Sequence, residues 1–265
     1  MRETLTRTLS GVAYILILAL AIFYSRESFL VLFAVFTIMC VSEFCNLVRL
    51  NKTGPVLIAI VFYTLFAIFE PSATTGILLL IATIFVSIKA SLFLFKPFAP
   101  LYKTDKYLYL IGYIVLPLIL VTKIPMQDQY NPKVIFSICI LVWVSDTFAY
   151  IVGKSFGKTP LFKAISPKKT IEGFAGGFVF ALVAGFILAK YYLDQPVLVW
   201  IPVAAIVVVF GTLGDLIESK FKRLAEVKDS GRIMPGHGGI LDRLDSVIFA
   251  APFVLLFFQI LGYVS

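Results

Sequence analysis

From residue 9 to residue 264 the chain alternates long apolar stretches with short polar ones, and this alternation limits its fold more than anything else. A helix crossing the hydrocarbon core of a bilayer needs about 20 mainly apolar residues. Nine stretches qualify as candidates: 9–24, 29–48, 55–69, 77–95, 107–121, 134–152, 171–193, 197–217 and 246–264. The third and fifth are short, so an eight-span reading stays open beside the nine-span one. Of 265 residues, 60% are apolar and only 14% charged, a balance that excludes an ordinary soluble domain. Inside lipid every backbone N–H and C=O must be paired within the protein, which leaves helices for stretches of this length. The expected fold is therefore all-α, a polytopic integral membrane protein with about nine transmembrane helices.

The basic residues orient these spans. With nine spans and a cytoplasmic N-terminus, eighteen Lys and Arg fall in cytoplasmic segments. The opposite side receives four (Arg26, Lys123, Lys133, Lys190), and Lys89 lies within a span. Cytoplasmic loops carry such an excess of Lys and Arg. A net charge of +8 then reflects loops facing an anionic leaflet. Because the charge is spread among membrane loops, nucleic acid is not expected as a partner. Arg2 and Arg7 ahead of the first apolar stretch resemble a signal peptide, but no small-residue cleavage pattern follows at 23–28, so a retained span is expected. Cys40, Cys45 and Cys139 lie within apolar runs without metal-ligand spacing and read as buried, inert thiols.

The two halves differ in chemistry. Residues 1–133 read as a transmembrane scaffold in which Glu43 and Lys89 are the exceptional ionisable groups, Glu43 as a structurally satisfied carboxylate and Lys89 as a snorkelling cation. Pro117 and Pro202 suggest kinks, and Gly173, Gly176 and Gly177 suggest close helix packing. Residues 134–265 form the chemically active transmembrane region, with loops 153–170 and 219–245 on one side.

Carboxylates gather in that second half. Asp146 sits near the middle of an apolar run, where a charged side chain costs about 2.5–3.5 kcal/mol on insertion scales and usually faces a polar cavity. Asp215 and Glu218, at i and i+3, share a helix face, and Asp242 and Asp245 repeat the spacing where the last helix begins. Capping by Asp242 after Gly238 and Gly239 accounts for one aspartate but not for two pairs. Mg²⁺ takes hard oxygen ligands, commonly one or two carboxylates with phosphate and water. Asp215, Asp242 and Asp245 are the best-placed ligands, with Asp146 and Glu218 as further candidates and a second cation allowed for. A purely structural ion-pair network with nearby Lys and Arg is the competing account. Zinc is not expected, because suitable Cys and a second His are lacking.

The first loop supplies the opposite charge. Ser166–Pro167 reads as a helix start with Ser166 as N-cap, which puts Lys168 and Lys169 in a first turn where free N–H groups and two ammonium groups attract an anion. A lipid-headgroup patch is the plainer account of the same lysines. The loop lacks the GxxxxGK[ST] pattern of a Walker A site. In the second loop, the run 235–239 (PGHGG) permits close backbone approach to a ligand. His237 could be a base, a phosphate donor or a structural donor. A phosphate monoester, with a second pKa of about 6, is largely dianionic at neutral pH and needs no base, which favours positioning or hydrogen bonding in the transition state.

Taken together, Ser219, Lys222–Arg223, Lys228–Asp229, Gly231, Pro235, His237–Gly238–Gly239, Asp242–Arg243 and Asp245 resemble the signature of the phosphatidate cytidylyltransferases, the CDP-diacylglycerol synthases. The upstream SPKKTIEG, GDLIES and DTFAY segments are similar to that family too. Met234 departs mildly, standing where Leu, Ile or Phe is expected. The resemblance is specific in the C-terminal half and only topological in the first. It implies transfer of the cytidylyl group of CTP to phosphatidic acid with release of pyrophosphate, dependent on Mg²⁺, in the cytoplasmic membrane of a bacterium with the site facing the cytoplasm. It implies catalytic roles for Lys168, Lys169, His237 and Asp242. Substrate contacts fall to Ser166, Lys222, Arg223, Lys228, Asp229, Gly238, Gly239 and Arg243. CTP, phosphatidic acid and the bilayer are the partners implied, with a homodimer allowed for. A CTP-dependent lipid kinase and an ion-coupled transporter are the alternatives. The first would release CDP, and the second would release neither product.

Overall fold

A computed structural model of the chain describes residues 2–69, 71–126 and 129–262, and side chains from Thr8 onward. The last positions of the final candidate span, and the side chains of Arg2 and Arg7, lie outside the described residues.

The architecture is a helical membrane bundle carrying one small hairpin. In chain order the helices are α1 (Arg2–Tyr24), α2 (Arg26–Val48), α3 (Thr53–Tyr63), α4 (Ala73–Leu94), α5 (Lys103–Tyr109), α6 (Leu116–Lys123), α7 (Pro132–Phe156), α8 (Ile171–Leu188), α9 (Val197–Leu224) and α10 (Leu241–Ile260). A π-helical stretch, Leu110–Val115, fuses α5 and α6 into one continuous helix just before Pro117, and another extends α3 to Ile68. Among the described residues, seven helices are long and apolar enough to cross a membrane, while Thr8–Tyr24 and Thr53–Ile68 are shorter apolar helices.

Two tight crossings position the functional elements. At Gly177 of α8 an added Cβ would stand 2.7 Å from the Ser145 carbonyl of α7. At Gly214 of α9 it would stand 2.5 Å from the Asp245 carbonyl of α10. Any side chain at either point would push the helices apart.

The basic segments converge at one end of the bundle. Ser10 hydrogen bonds to the Pro235 carbonyl, Arg223 reaches the Ile165 carbonyl, and the rings of Phe95 and Phe162 lie 5.7 Å apart. At the other end, Tyr130 donates to Ile22 O at 2.7 Å and Lys133 to Tyr192 O at 3.3 Å.

Two buried charges on distant segments complete helix ends. Glu43 of α2 accepts from the N–H groups of Ile240 and Leu241, at 3.0 and 2.8 Å, at the start of α10. Lys220 of α9, fully buried, donates to the carbonyls of Phe93 and Lys96 at 2.5 Å each, at the end of α4. In each case the charge meets the pole of the helix dipole that favours it and satisfies groups the helix cannot satisfy itself. The expectation that Glu43 is structurally satisfied is met. Lys89 reaches Asp105, in the first turn of α5, at 2.7 Å.

One local expectation and one competing account are corrected. Ser166–Pro167 does not start a helix: β2 (Ser166–Thr170) pairs antiparallel with β1 (Pro160–Phe162), and α8 begins only at Ile171. Thr170 is the cap, its hydroxyl accepting from Gly173 N at 3.1 Å, while Pro167 falls between the paired positions, where its missing N–H costs nothing. Asp242 is not the N-cap of the last helix either. It lies inside the first turn, and Glu43 has taken the N–H groups at that end.

Candidate active site

The 3.6-residue period places Asp215, Glu218 and Lys222 along one side of α9, facing Asp242 and Asp245 at the start of α10. Oxygens of Asp215, Glu218 and Asp245 lie within 4.8 Å of one another. Glu218 is fully buried; one of its oxygens meets Lys222 at 2.5 Å, and the other, Oε1, has no hydrogen-bond partner. Asp245 is buried, accepts from Ser246 N at 2.6 Å, and forms no ion pair among the described residues. Buried carboxylates at this spacing repel one another, a repulsion that a shared cation would relieve. A hard divalent ion such as Mg²⁺ fits this all-oxygen set with its orphaned Oε1.

Asp242 stands apart from the group of three. Its Oδ2 accepts from Ser230 N, Ser230 Oγ and Gly239 N, all at 2.8 Å, and its Oδ1 meets Lys222 at 2.7 Å. These contacts fold the 229–240 loop back onto α10. Lys222 therefore bridges Glu218 and Asp242, a lone cation between two buried anions.

From the hairpin, Lys169 pairs with Asp215, which also accepts from Ser219 Oγ at 3.2 Å. Burial alone pulls the Lys169 ammonium toward neutrality. The facing Asp215 carboxylate outweighs that and holds the group above the usual lysine range, so Lys169 is charged throughout the neutral region. Lys168, its neighbour on the strand, is exposed. The lysines thus reach their position on a strand rather than in a helical turn.

Asp146 of α7 lies between two cavities. The larger, about 660 Å³, is lined by Lys154, Ser166, Lys168, Lys169, Thr170 and Asp215, with Tyr150 and Phe174 supplying apolar wall. The smaller, about 200 Å³, is lined by His237, Asp242, Arg243 and Asp245, with Tyr14 and Trp143 beside them. Thus Asp146, Asp215, Asp245, Lys168, Lys169, Ser166, His237 and Arg243 are brought together. Lys228 and Asp229 stand exposed on the outer loop, and Arg223, also exposed, is tied to the carbonyls of Ile165 and Val227. Gly238 and Gly239 shape the turn.

Sequence reasoning passed over Lys154, Thr170 and Ser230. Lys154 lies in the last turn of α7, where a basic residue is ordinary and marks no site. The part of Ser230 depends on Asp242, 12 residues on, and leaves no local sign.

Comparison with known proteins gives a consistent result. Residues 5–261 match the cytidylyltransferase family. The phosphatidate cytidylyltransferase of Bacillus subtilis (strain 168) is 52% identical over 128 residues, 48% of each chain. That of Staphylococcus aureus (strain COL) is 53% identical over 115 residues, 43% of this chain and 44% of the relative. That of Staphylococcus haemolyticus (strain JCSC1435) is 50% identical over 115 residues, with the same coverage. The aligned part of the chain spans about half the length of the curated relatives it matches.

Proposed function

Because this chain belongs to the cytidylyltransferase family, we propose that it transfers the cytidylyl group of CTP to phosphatidic acid, forming CDP-diacylglycerol. What carries the reading is one convergence: three carboxylates from α9 and α10 meet the hairpin lysines beside a cavity at the basic end of a membrane bundle. A phosphate oxygen of phosphatidate attacks the α-phosphorus of CTP. The bond from that phosphorus to the bridging oxygen breaks, and pyrophosphate leaves with the electron pair. Both reactants are anionic, so the main obstacle is charge, and the protein's task is positioning and electrostatic stabilisation.

Lys169, held charged by Asp215, and Lys168 on the open side of the same strand meet the nucleotide phosphates. Ser166 and Lys154 add donors along the same wall. Arg243 and His237 line the smaller chamber and meet phosphate from that side. Lys222 holds Glu218 and Asp242 in place rather than contacting substrate. Mg²⁺, bound through Asp215, Glu218 and Asp245, would neutralise phosphate charge. Asp146 lines both cavities beside these three carboxylates. CTP arrives from the cytoplasm, while the diacylglycerol tails stay in the bilayer of the bacterial cytoplasmic membrane.

Product identity tests this reading. Detergent-purified protein with CTP, phosphatidate and Mg²⁺ is expected to yield CDP-diacylglycerol and pyrophosphate in equal amounts. CDP with a phosphorylated lipid would replace it with a kinase, and neither product would sink both.

The orientation has its own test, with single cysteines in a background lacking Cys40, Cys45 and Cys139. Lys163→Cys on the exposed hairpin is expected to resist an impermeant thiol reagent in intact cells, while Asp194→Cys at the other end reacts. The reverse labelling would turn the molecule over.

A further inference from the structure

The chain contains one histidine, and its ring is held from a distant helix. His237 belongs to a tight turn in which Met234 N donates to Gly238 O, and His237 N donates back to Met234 O, each at 2.9 Å. Arg243 Nη2 braces the turn from α10 by donating to His237 O at 3.0 Å. The imidazole itself is met by Ser10 of α1. Ser10 Oγ lies 2.8 Å from His237 Nδ1, and the same hydroxyl donates to Pro235 O at 2.9 Å.

A serine hydroxyl has one proton to give. With that proton on the Pro235 carbonyl, the oxygen's lone pairs accept from Nδ1–H. The partner on one ring nitrogen decides which nitrogen carries the proton, and so what the other can do. Gly11 sits against the ring, where an added Cβ would come 3.3 Å from Cε1 and 3.5 Å from Nε2. Helix α1 therefore walls the smaller chamber that Asp146, Arg243 and Asp245 also line.

We infer that Ser10 is a positioning residue for His237: it fixes the ring's orientation and its Nδ1–H form within the smaller chamber. The inference deepens the proposed cytidylyl transfer and rests on it for its kinetic arm. Its spectroscopic arm does not depend on that reaction. It also gives α1, whose apolar residues are largely exposed, a specific place at the site.

Because there is one histidine, ¹⁵N-histidine labelling gives one pair of ring nitrogens to read. The wild-type protein is expected to show Nδ1 as the N–H nitrogen. Ser10→Ala is expected to shift the pair toward a tautomer mixture, and Ser10→Thr, which keeps a hydroxyl, to restore it. In kinetics, Ser10→Ala is expected to lower kcat about 10-fold, as loss of a histidine-orienting partner does, with the KM for CTP little changed. Ser10→Thr recovers most of that loss. The double variant Ser10→Ala/His237→Ala should be no slower than His237→Ala alone. Unchanged nitrogen shifts in Ser10→Ala, or a further loss of rate in the double variant, overturns the inference. If the wild-type protein makes no CDP-diacylglycerol, the transfer reading falls, and the nitrogen shifts alone decide the part played by Ser10.

Discussion

Asp245→Asn is expected to lower turnover by about 10²–10³-fold or more while leaving the bundle folded, because one of the three anions that would hold Mg²⁺ against the reacting phosphates is lost. Asn has the same size and keeps an oxygen for Ser246 N, the one hydrogen bond Asp245 accepts among the described residues. No ion pair is broken, so thermal stability in detergent should hold within a few degrees. What disappears is one of three converging anions, and the residual activity should need more Mg²⁺ to saturate. Asp242→Asn should behave differently. Its carboxylate is engaged by Lys222 and by three loop donors, so an amide there loses the Lys222 partner and weakens the loop. Stability and rate should fall together, without a change in the metal requirement. Measuring CDP-diacylglycerol formation against Mg²⁺, with melting temperatures in parallel, separates the two. Normal turnover and normal Mg²⁺ dependence in Asp245→Asn would take Asp245 out of the site.

The second large effect falls on stability. Lys222→Met removes the cation between Glu218 and Asp242, both almost fully buried. Breaking a buried pair by deleting one partner costs about 3–5 kcal/mol, since the charges left behind keep their desolvation penalty. Here two carboxylates are left at once, with Asp245 close by. The melting temperature should drop sharply. Lys222→Met/Glu218→Gln should recover much of it without recovering activity, since Glu218 belongs to the carboxylate group. A Lys222→Met protein that melts with the wild type would show that the bridge contributes nothing to the fold.

The legible part of this molecule is the part governed by local rules. A bilayer imposes a length and a composition on each span, so the apolar segments could be bounded from the chain alone. The i, i+3 spacing of Asp215 with Glu218, and of Asp242 with Asp245, gave the shared faces correctly. What failed was the identity of helix caps. Ser166–Pro167 has the composition of a helix start, yet Thr170 four residues later makes the cap, and pairing with Pro160–Phe162 claims the segment as a strand. Asp242 has the look of an N-cap, yet Glu43 occupies those N–H groups from 197 residues away. A cap supplied from another span leaves no trace in its own neighbourhood. The Ser10–His237 contact was hidden for the same reason.

The helix-end charges have a consequence for how the protein is made. During synthesis α2 and α4 enter the membrane long before residue 220 exists. Until α9 and α10 arrive, Glu43 is an acid without its donors, and the final carbonyls of α4 lack their ammonium. The first half of the chain is thus unfinished by itself, and the second half brings what finishes it. Helices α9 and α10 pack on the bundle by the same crossing that sets the carboxylates side by side, so Asp215, Glu218 and Asp245 meet only once both helices are in place.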